Sequence, residues 1–145
     1  SGARMAIEWT TKIDSVDWGE LSELYRIAPL GNKSGEWLQT AYTNSLFKFL
    51  ARDAGKIVAA GRAVADGVDC SYLCDIVVHP AYQGKGLGRE LIQRLVSASK
   101  GHRKIILYAV PGREPFYEKF GFRRMKTAMA IFADPERAAA DGYTE

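Results

Sequence analysis

Two cysteines and two histidines in 145 residues leave little material for a disulfide framework or a metal centre. Cys70 and Cys74 are four positions apart, so on one strand they would stand roughly 13 Å from each other, beyond disulfide reach. With His79 and His102 as the remaining soft ligands, the four-ligand pattern of a zinc site does not assemble, and no metal is expected. No run of eighteen apolar residues occurs, and no charged segment leads into an apolar stretch with a cleavage site at the start. The expectation is a soluble, cytoplasmic protein with no membrane partner. Charge of one sign is scarce too. The formal net charge is +3, or +2 once Ser1-Gly2-Ala3-Arg4, which precede Met5 like a cloning remnant, are set aside. The short basic clusters Arg103-Lys104 and Arg123-Arg124 read as solvated faces, so a nucleic-acid partner is not expected.

The chain is 47% hydrophobic, sufficient for one core. Residues 5–133 read as a single domain and residues 134–145, polar and alanine-rich, as a C-terminal tail. Ala6 to Trp9 suits a strand. Asp17 with Glu20 reads as a capping box opening a helix whose apolar face carries Leu21, Leu24, Tyr25 and Ala28. Pro29 stops it, and the loop Pro29 to Gly35 leads into a second helix bearing Trp37, Leu38, Ala41 and Tyr42. Leu46 to Leu50 and Ile57 to Ala65 read as strands around the turn Asp53-Ala54-Gly55-Lys56. Asp66-Gly67 signals a tight hairpin before the strand Val68 to Val78. A helix from about Gly86 follows, then a strand Lys104 to Ala109, a short helix Glu114 to Phe120 ended by Gly121, and a final strand Phe122 to Phe132. This order predicts an α/β layer with a mixed sheet.

The densest chemical signal is Gln83-Gly84-Lys85-Gly86-Leu87-Gly88. Behind it, Leu87, Leu91, Ile92, Leu95 and Val96 share one helix face while Arg89, Glu90, Gln93 and Arg94 share the other. The helix therefore opens within the glycines. Its first turn leaves backbone N–H donors unpaired at the positive end of the dipole, and glycine lets a ligand approach them, so the loop reads as a pyrophosphate cradle. Lys85 and Arg89 add mobile positive charge. A Walker loop would need Ser or Thr where Gly86 follows Lys85. A Rossmann fingerprint would need a third glycine at Arg89 and an acid about twenty positions on, where the chain reads Lys104-Ile105-Ile106-Leu107-Tyr108. A glycine turn that only starts a helix is the plain alternative.

The loop resembles the Gln/Arg-x-x-Gly-x-Gly/Ala signature of the Gcn5-related N-acetyltransferases (GNAT). The flanks, Tyr72 to Pro80 and Pro115 to Phe122, are similar to that family too, so the resemblance covers about residues 70 to 124. It implies the GNAT-like, acyl-CoA N-acyltransferase fold: a mixed, mostly antiparallel sheet of six to seven strands flanked by about four helices. It also implies acetyl-CoA as co-substrate, with Ile76, Val77 and Val78 lining the pantetheine arm through their backbone and Gln83, Gly84, Lys85, Gly86, Leu87, Gly88 and Arg89 holding the diphosphate. The strands before and after the cradle would splay to make a slot, and the two early helices would roof the acceptor site.

In Pro115-Phe116-Tyr117-Glu118-Lys119-Phe120-Gly121-Phe122, Tyr117 falls where the family places a tyrosine near the thioester sulfur. A phenol with an ordinary pKa of ~10 stays protonated at neutral pH and can protonate a leaving thiolate; a packed core tyrosine is the plain alternative. Positions Tyr72, Cys74 and Asp75 correspond to where relatives carry acceptor-facing or proton-relaying groups. Asp75 admits two readings, a carboxylate that holds or deprotonates the amine, as in polyamine acetyltransferases, and one that supports the sheet. It faces away from Tyr72 and Cys74 unless a bulge intervenes. Cys74 reads as a small buried residue rather than a nucleophile. Trp37, Tyr42 and Phe47 are candidate aromatic walls or core. His79 reads as a strand end and His102 as a solvated loop residue. Where many relatives carry a cofactor-binding asparagine, this chain has Val110-Pro111-Gly112-Arg113.

The expectation is an acetyl-CoA-dependent N-acetyltransferase that passes its acetyl group to the primary amine of a small molecule by direct attack in a ternary complex, with a homodimer as in many relatives. A protein lysine or N-terminal acetyltransferase, a non-catalytic acyl-CoA sensor and a basic interaction module are the alternatives.

Overall fold

In the computed structural model, which describes residues 5–145, the chain falls into two compact units, one ending at Ile106 and one from Leu107 to Glu145. The first four residues lie outside the described part. The first unit holds five strands: β1 (Ile7–Thr10), β2 (Phe47–Asp53), β3 (Lys56–Ala65), β4 (Cys70–Val78) and β5 (Lys104–Ile106). They lie in sequence order in one sheet, antiparallel from β1 to β4, with β5 parallel to β4. The parallel step needs a long crossover, and a helix between β4 and β5 supplies it. Among the described residues five strands thus stand where six to seven were expected.

Helix α1 (Trp18–Ile27) starts where the sequence places it, because the Asp17 carboxylate accepts the Glu20 N–H at 3.1 Å. The expected reciprocal half of the capping box is not made. The Glu20 carboxylate instead accepts the Ile57 N–H at 2.9 Å and so ties α1 to the start of β3. Helix α2 (Gly35–Thr43) is capped by Ser34, which accepts the Trp37 N–H at 3.1 Å. Leu21, Leu24 and Tyr25 of α1 join Leu38 and Tyr42 of α2, Leu50, Ile57, Ala60 and Val77 in one buried cluster on one sheet face. Each fully buried leucine there contributes about 1.5–3 kcal/mol.

Helix α3 (Leu87–Ala98) covers the other face with Leu87, Leu91, Ile92 and Leu95. Gly61 makes this close approach possible: a Cβ there would lie 2.9 Å from Ile76 Cδ1 and 3.2 Å from Leu95 Cδ1. The Asp66-Gly67 turn is longer than the tight hairpin expected, and β4 begins at Cys70 rather than Val68. The Asp66 carboxylate gathers the N–H groups of Val68, Asp69 and Cys70 at 2.7–3.2 Å, which holds Val68 and Asp69 out of the ladder.

In the second unit, α4 (Glu114–Glu118) is followed by Gly121 at φ 95°, and α5 (Pro135–Ala140) stands in the stretch read as a tail. The expected final strand Phe122 to Phe132 does not form. Strand-prone composition needs a partner ladder, and this segment is irregular and mostly exposed, with Met129 at 96% and Ile131 at 103% of full exposure. Its two ends are held by rings, Phe122 against Tyr117 at 6.2 Å and Phe132 edge-on to Tyr108 at 5.9 Å and tilted against Tyr143 at 6.2 Å.

Candidate active site

β4 carries two departures from a regular strand, and the candidate site is built on them. The first is a bulge. The β3–β4 register slips between Ala60, opposite Val77, and Arg62, opposite Cys74, and Asp75 takes the left-handed conformation at φ 54°. For a residue with a Cβ this costs on the order of 1–3 kcal/mol and persists only when its surroundings impose it. Three elements do so. Arg62 Nε of β3 donates to Asp75 Oδ2 at 2.8 Å, and the pair is only 13% and 17% exposed. The hydroxyl of Tyr25 on α1 donates to the Asp75 carbonyl at 2.6 Å, and the Tyr42 hydroxyl of α2 lies 2.7 Å from that of Tyr25. Arg62 Nη1 also donates to Ser45 Oγ at 3.2 Å, after the end of α2. Burial pushes both tyrosine phenols well above their ordinary pKa, so this hydroxyl pair stays protonated.

The bulge decides which groups share a face. Tyr72 stands opposite Val64 and Cys74 opposite Arg62, on the side of α1 and α2; beyond the bulge Val77 continues that side while Ile76 turns toward Gly61 and α3. Asp75 reaches Arg62 on the side of Cys74, which the bulge permits and plain alternation does not. Val77 is buried, so Ile76 to Val78 offer a ligand their backbone rather than a common side-chain wall. Cys74 Sγ donates to the Tyr72 carbonyl at 3.4 Å, and burial raises its pKa, which keeps the thiol protonated. Trp37 on α2 is 47% exposed.

The second departure is an early loss of pairing. β5 meets β4 only from Cys70 to Tyr72, so among the described residues no strand continues the ladder along that edge toward Val78. At the end of β4 the His79 N–H closes on the Val58 carbonyl of β3 at 2.8 Å, and His79 Nδ1 accepts the Ala81 N–H at 3.1 Å to cap a 3-10 turn, Pro80–Tyr82. His79 is thereby a structural end of the strand, and burial beside Lys56 holds its pKa down.

The glycine loop follows. Gln83 Nε2 donates weakly to the Val78 carbonyl at 3.4 Å, and Gly84 and Gly86 take φ 77° and 85°. A Cβ at either would meet no atom within 4 Å, so the space in front of the loop is open. Gly86 caps α3 without a side-chain bond, and the first intrahelical bond runs from Glu90 N–H to the Gly86 carbonyl at 3.0 Å. The amides of Leu87, Gly88 and Arg89 therefore precede the helical ladder. With exposed Lys85 and Arg89 beside them, they present a cationic, donor-lined concavity that fits a diphosphate.

In the second unit Tyr117 sits on α4 with its ring edge-on to Phe116 at 5.1 Å and to Phe122 at 6.2 Å. Burial raises its pKa and the nearby Arg113 offsets part of that rise, so it is a phenol that keeps its proton.

Arg62 is the side chain of the candidate site that sequence reasoning passed over. Its signal was available: a cation inside the apolar run Ile57 to Ala65 has to find a buried partner.

The model of the acetyltransferase (GNAT) family matches residues 9–122, a span that contains the bulge, the cradle and Tyr117. The chain belongs to this family. Among its GNAT relatives, serotonin N-acetyltransferase 2, chloroplastic, of Oryza sativa subsp. japonica is 37% identical over 74% of this chain and 56% of that protein. Glucosamine 6-phosphate N-acetyltransferase of Trypanosoma brucei brucei is 42% identical over 52% of this chain and 49% of that protein. The chain thus spans about half the length of these curated relatives. Among solved structures, an acetyltransferase of Trypanosoma brucei superposes with a TM-score of 0.70 at 28% identity, covering 87% of this chain and 99% of that one. The five-stranded mixed sheet and its helices are thus a GNAT fold.

Proposed function

We propose that this chain is an acetyl-CoA-dependent N-acetyltransferase whose acceptor is the primary amine of a small molecule. The observation that carries the reading is the cradle: two left-handed glycines with open space before them, leading into unpaired amides at the start of α3, directly after a strand edge that has lost its neighbour. The backbone of Ile76 to Val78 would align the pantetheine amides, and Gln83 to Arg89 would hold the diphosphate. The bound thioester supplies the acetyl group.

Direct attack follows from what the residues offer. Cys74 is half-buried with its pKa raised, a poor nucleophile, so no covalent relay is invoked. An alkylammonium of pKa ~10.4 must first lose its proton, which a base or a chain of waters takes. Asp75, fixed by Arg62, lies on the strand that bears the acetyl donor's arm and orients the amine in this reading, with Tyr72, Cys74 and Trp37 as acceptor-site walls. Tyr117 donates a proton to the departing sulfur, a role suited to a phenol whose burial keeps it protonated.

The relatives named for serotonin and glucosamine 6-phosphate support a small-molecule acceptor. A cytoplasmic location belongs to the same proposal; the rice relative, by contrast, is named chloroplastic. So does a homodimer, for which the exposed Met125, Met129 and Ile131 would supply apolar surface.

The test is calorimetric titration with acetyl-CoA, followed by thiol release against an amine panel. Binding with turnover is expected, and Tyr117→Phe should lower kcat about 100-fold with little change in acetyl-CoA affinity. Unchanged turnover in that variant removes Tyr117 from the acid role, and no acetyl-CoA binding removes the cradle.

A further inference from the structure

The cradle has to be held in place as well as shaped. Glycine carries no side chain to pack, and a Cβ at Gly84 or Gly86 would meet no atom within 4 Å, so the loop takes its position from its two ends. On the exit side Leu87, only 5% exposed, seats the first turn of α3 in the core. On the entry side the chain leaves β4 at Val78 and makes the 3-10 turn Pro80–Tyr82.

That turn closes largely on itself. The Tyr82 N–H donates to the His79 carbonyl at 2.8 Å, the Gln83 N–H to the Pro80 carbonyl at 3.4 Å and the Ala81 N–H to His79 Nδ1. Such bonds shape a turn without fixing where it stands on the sheet. Among the described residues, one hydrogen bond ties residues 80–86 to a distant part of the chain: the Tyr82 hydroxyl donates to Asp53 Oδ2 at 2.5 Å, across 29 positions.

Asp53 is itself a fixed point. It closes β2 opposite Ile7 of β1 and Lys56 of β3, and its other carboxylate oxygen accepts the Ala6 N–H at 3.0 Å. The bond from Tyr82 holds the Asp53 carboxyl below its usual range, and the same bond raises the Tyr82 phenol, so at neutral pH the acceptor is ionised and the donor keeps its proton. A hydroxyl on a carboxylate at this separation is a charge-assisted bond, the stronger kind. The Tyr82 ring is also met edge-on by His79 at 5.5 Å, and Lys56 Nζ lies 5.9 Å from its centroid.

We propose that the bond between Tyr82 and Asp53 is the latch that positions the diphosphate cradle, both side chains acting through the loop rather than on the ligand. The inference rests on the acetyltransferase reading and adds to it the pair by which the sheet holds the cofactor loop. With the bond made, the amides at the start of α3 are aimed before the diphosphate arrives. Without it, binding has to order the turn first, and that cost falls on cofactor affinity.

The experiment uses the full chain, with calorimetric titration of acetyl-CoA and thiol release with the panel amine that turns over fastest. Tyr82→Phe keeps the ring and removes the donor. Its Kd and KM for acetyl-CoA should rise about tenfold while kcat at saturation stays within about twofold. With S-acetylpantetheine, which carries the same thioester and no diphosphate, kcat/KM should be equal in the variant and the unaltered chain; a general folding defect would lower activity with both donors. Asp53→Ala should weaken acetyl-CoA by a similar factor, and the double variant by no more than either single one, as for two ends of one bond. A change in Kd under about twofold in Tyr82→Phe, an equal loss with S-acetylpantetheine, or losses that multiply in the double variant each overturn the inference and leave the acetyltransferase reading standing. No binding of acetyl-CoA by the unaltered chain overturns that reading itself, and the inference falls with it.

Discussion

β4 and the loop after it both depend on left-handed backbone, yet they hold it in opposite ways. At Asp75 the conformation is strained, and side chains from α1, β3 and the end of α2 converge to impose it. At Gly84 and Gly86 the same region of backbone space is free of that penalty, and nothing stands within 4 Å of where a Cβ would be. The contrast teaches where this chain keeps its own contacts and where it leaves contacts for a ligand. The bulge is pre-organised by protein alone. The cradle is pre-shaped but unfilled by protein, so its donors remain for an anion.

If that contrast is right, the two regions should fail differently. The largest effect is expected at the bulge. Arg62→Met leaves a carboxylate that is mostly shielded from water without its partner, and equilibrium urea unfolding should show a loss of about 3–5 kcal/mol. Adding Asp75→Asn should recover part of it, and a single-variant loss under ~1 kcal/mol would mean that the bulge is not held by this pair. At the cradle, the loss of stability should be smaller, about 1–2 kcal/mol for a side chain in left-handed backbone, but binding should collapse. Gly86→Glu forces a side chain into φ 85° and sets a negative charge before the diphosphate, so acetyl-CoA affinity should fall at least 100-fold, about 2.7 kcal/mol. Retained affinity would place the cofactor elsewhere.

A smaller effect is expected at the hydroxyl pair behind the bulge. Tyr25→Phe removes the donor to the Asp75 carbonyl and the partner of Tyr42, at about 1–3 kcal/mol. Its signature is the pH dependence. Burial raises both phenols in the fold, while in the unfolded chain they titrate near ~10. The unfolded state thus binds fewer protons than the native state above that pH, so stability is intact below ~10 and falls as pH rises beyond it. Tyr25→Phe should make this alkaline decline shallower, and an unaltered slope would show that the pair is not what resists ionisation.

The local features of the fold were legible where one residue's chemistry decides the outcome. Asp17 as a cap, the apolar stripe of α3 and the glycines of the cradle are short-range facts, and the structure places Asp17 at the α1 cap and Gly86 at the start of α3. Features set by pairing were not. The register slip that turns Asp75 toward Arg62 depends on where β3 meets β4, and a period of two along one strand carries no record of it. The same limit explains the missing strand at Phe122 to Phe132: its residues favour extension, but pairing is a property of two segments. The Glu20 carboxylate was read as half of a capping box because Asp17 lies three residues back, whereas a backbone donor from β3 competes for it and wins.

The open edge of β4 has a further side. A row of backbone groups without a neighbouring strand is a template for any extended chain, including another copy of this protein, and such edges seed aggregation. A regular strand would offer an even ladder for that addition. The bulge at Asp75 breaks the spacing midway and increases the local twist, so a flat intruding strand loses register after a few residues. The strain held there by Arg62 and Tyr25 therefore also works against strand addition at this edge.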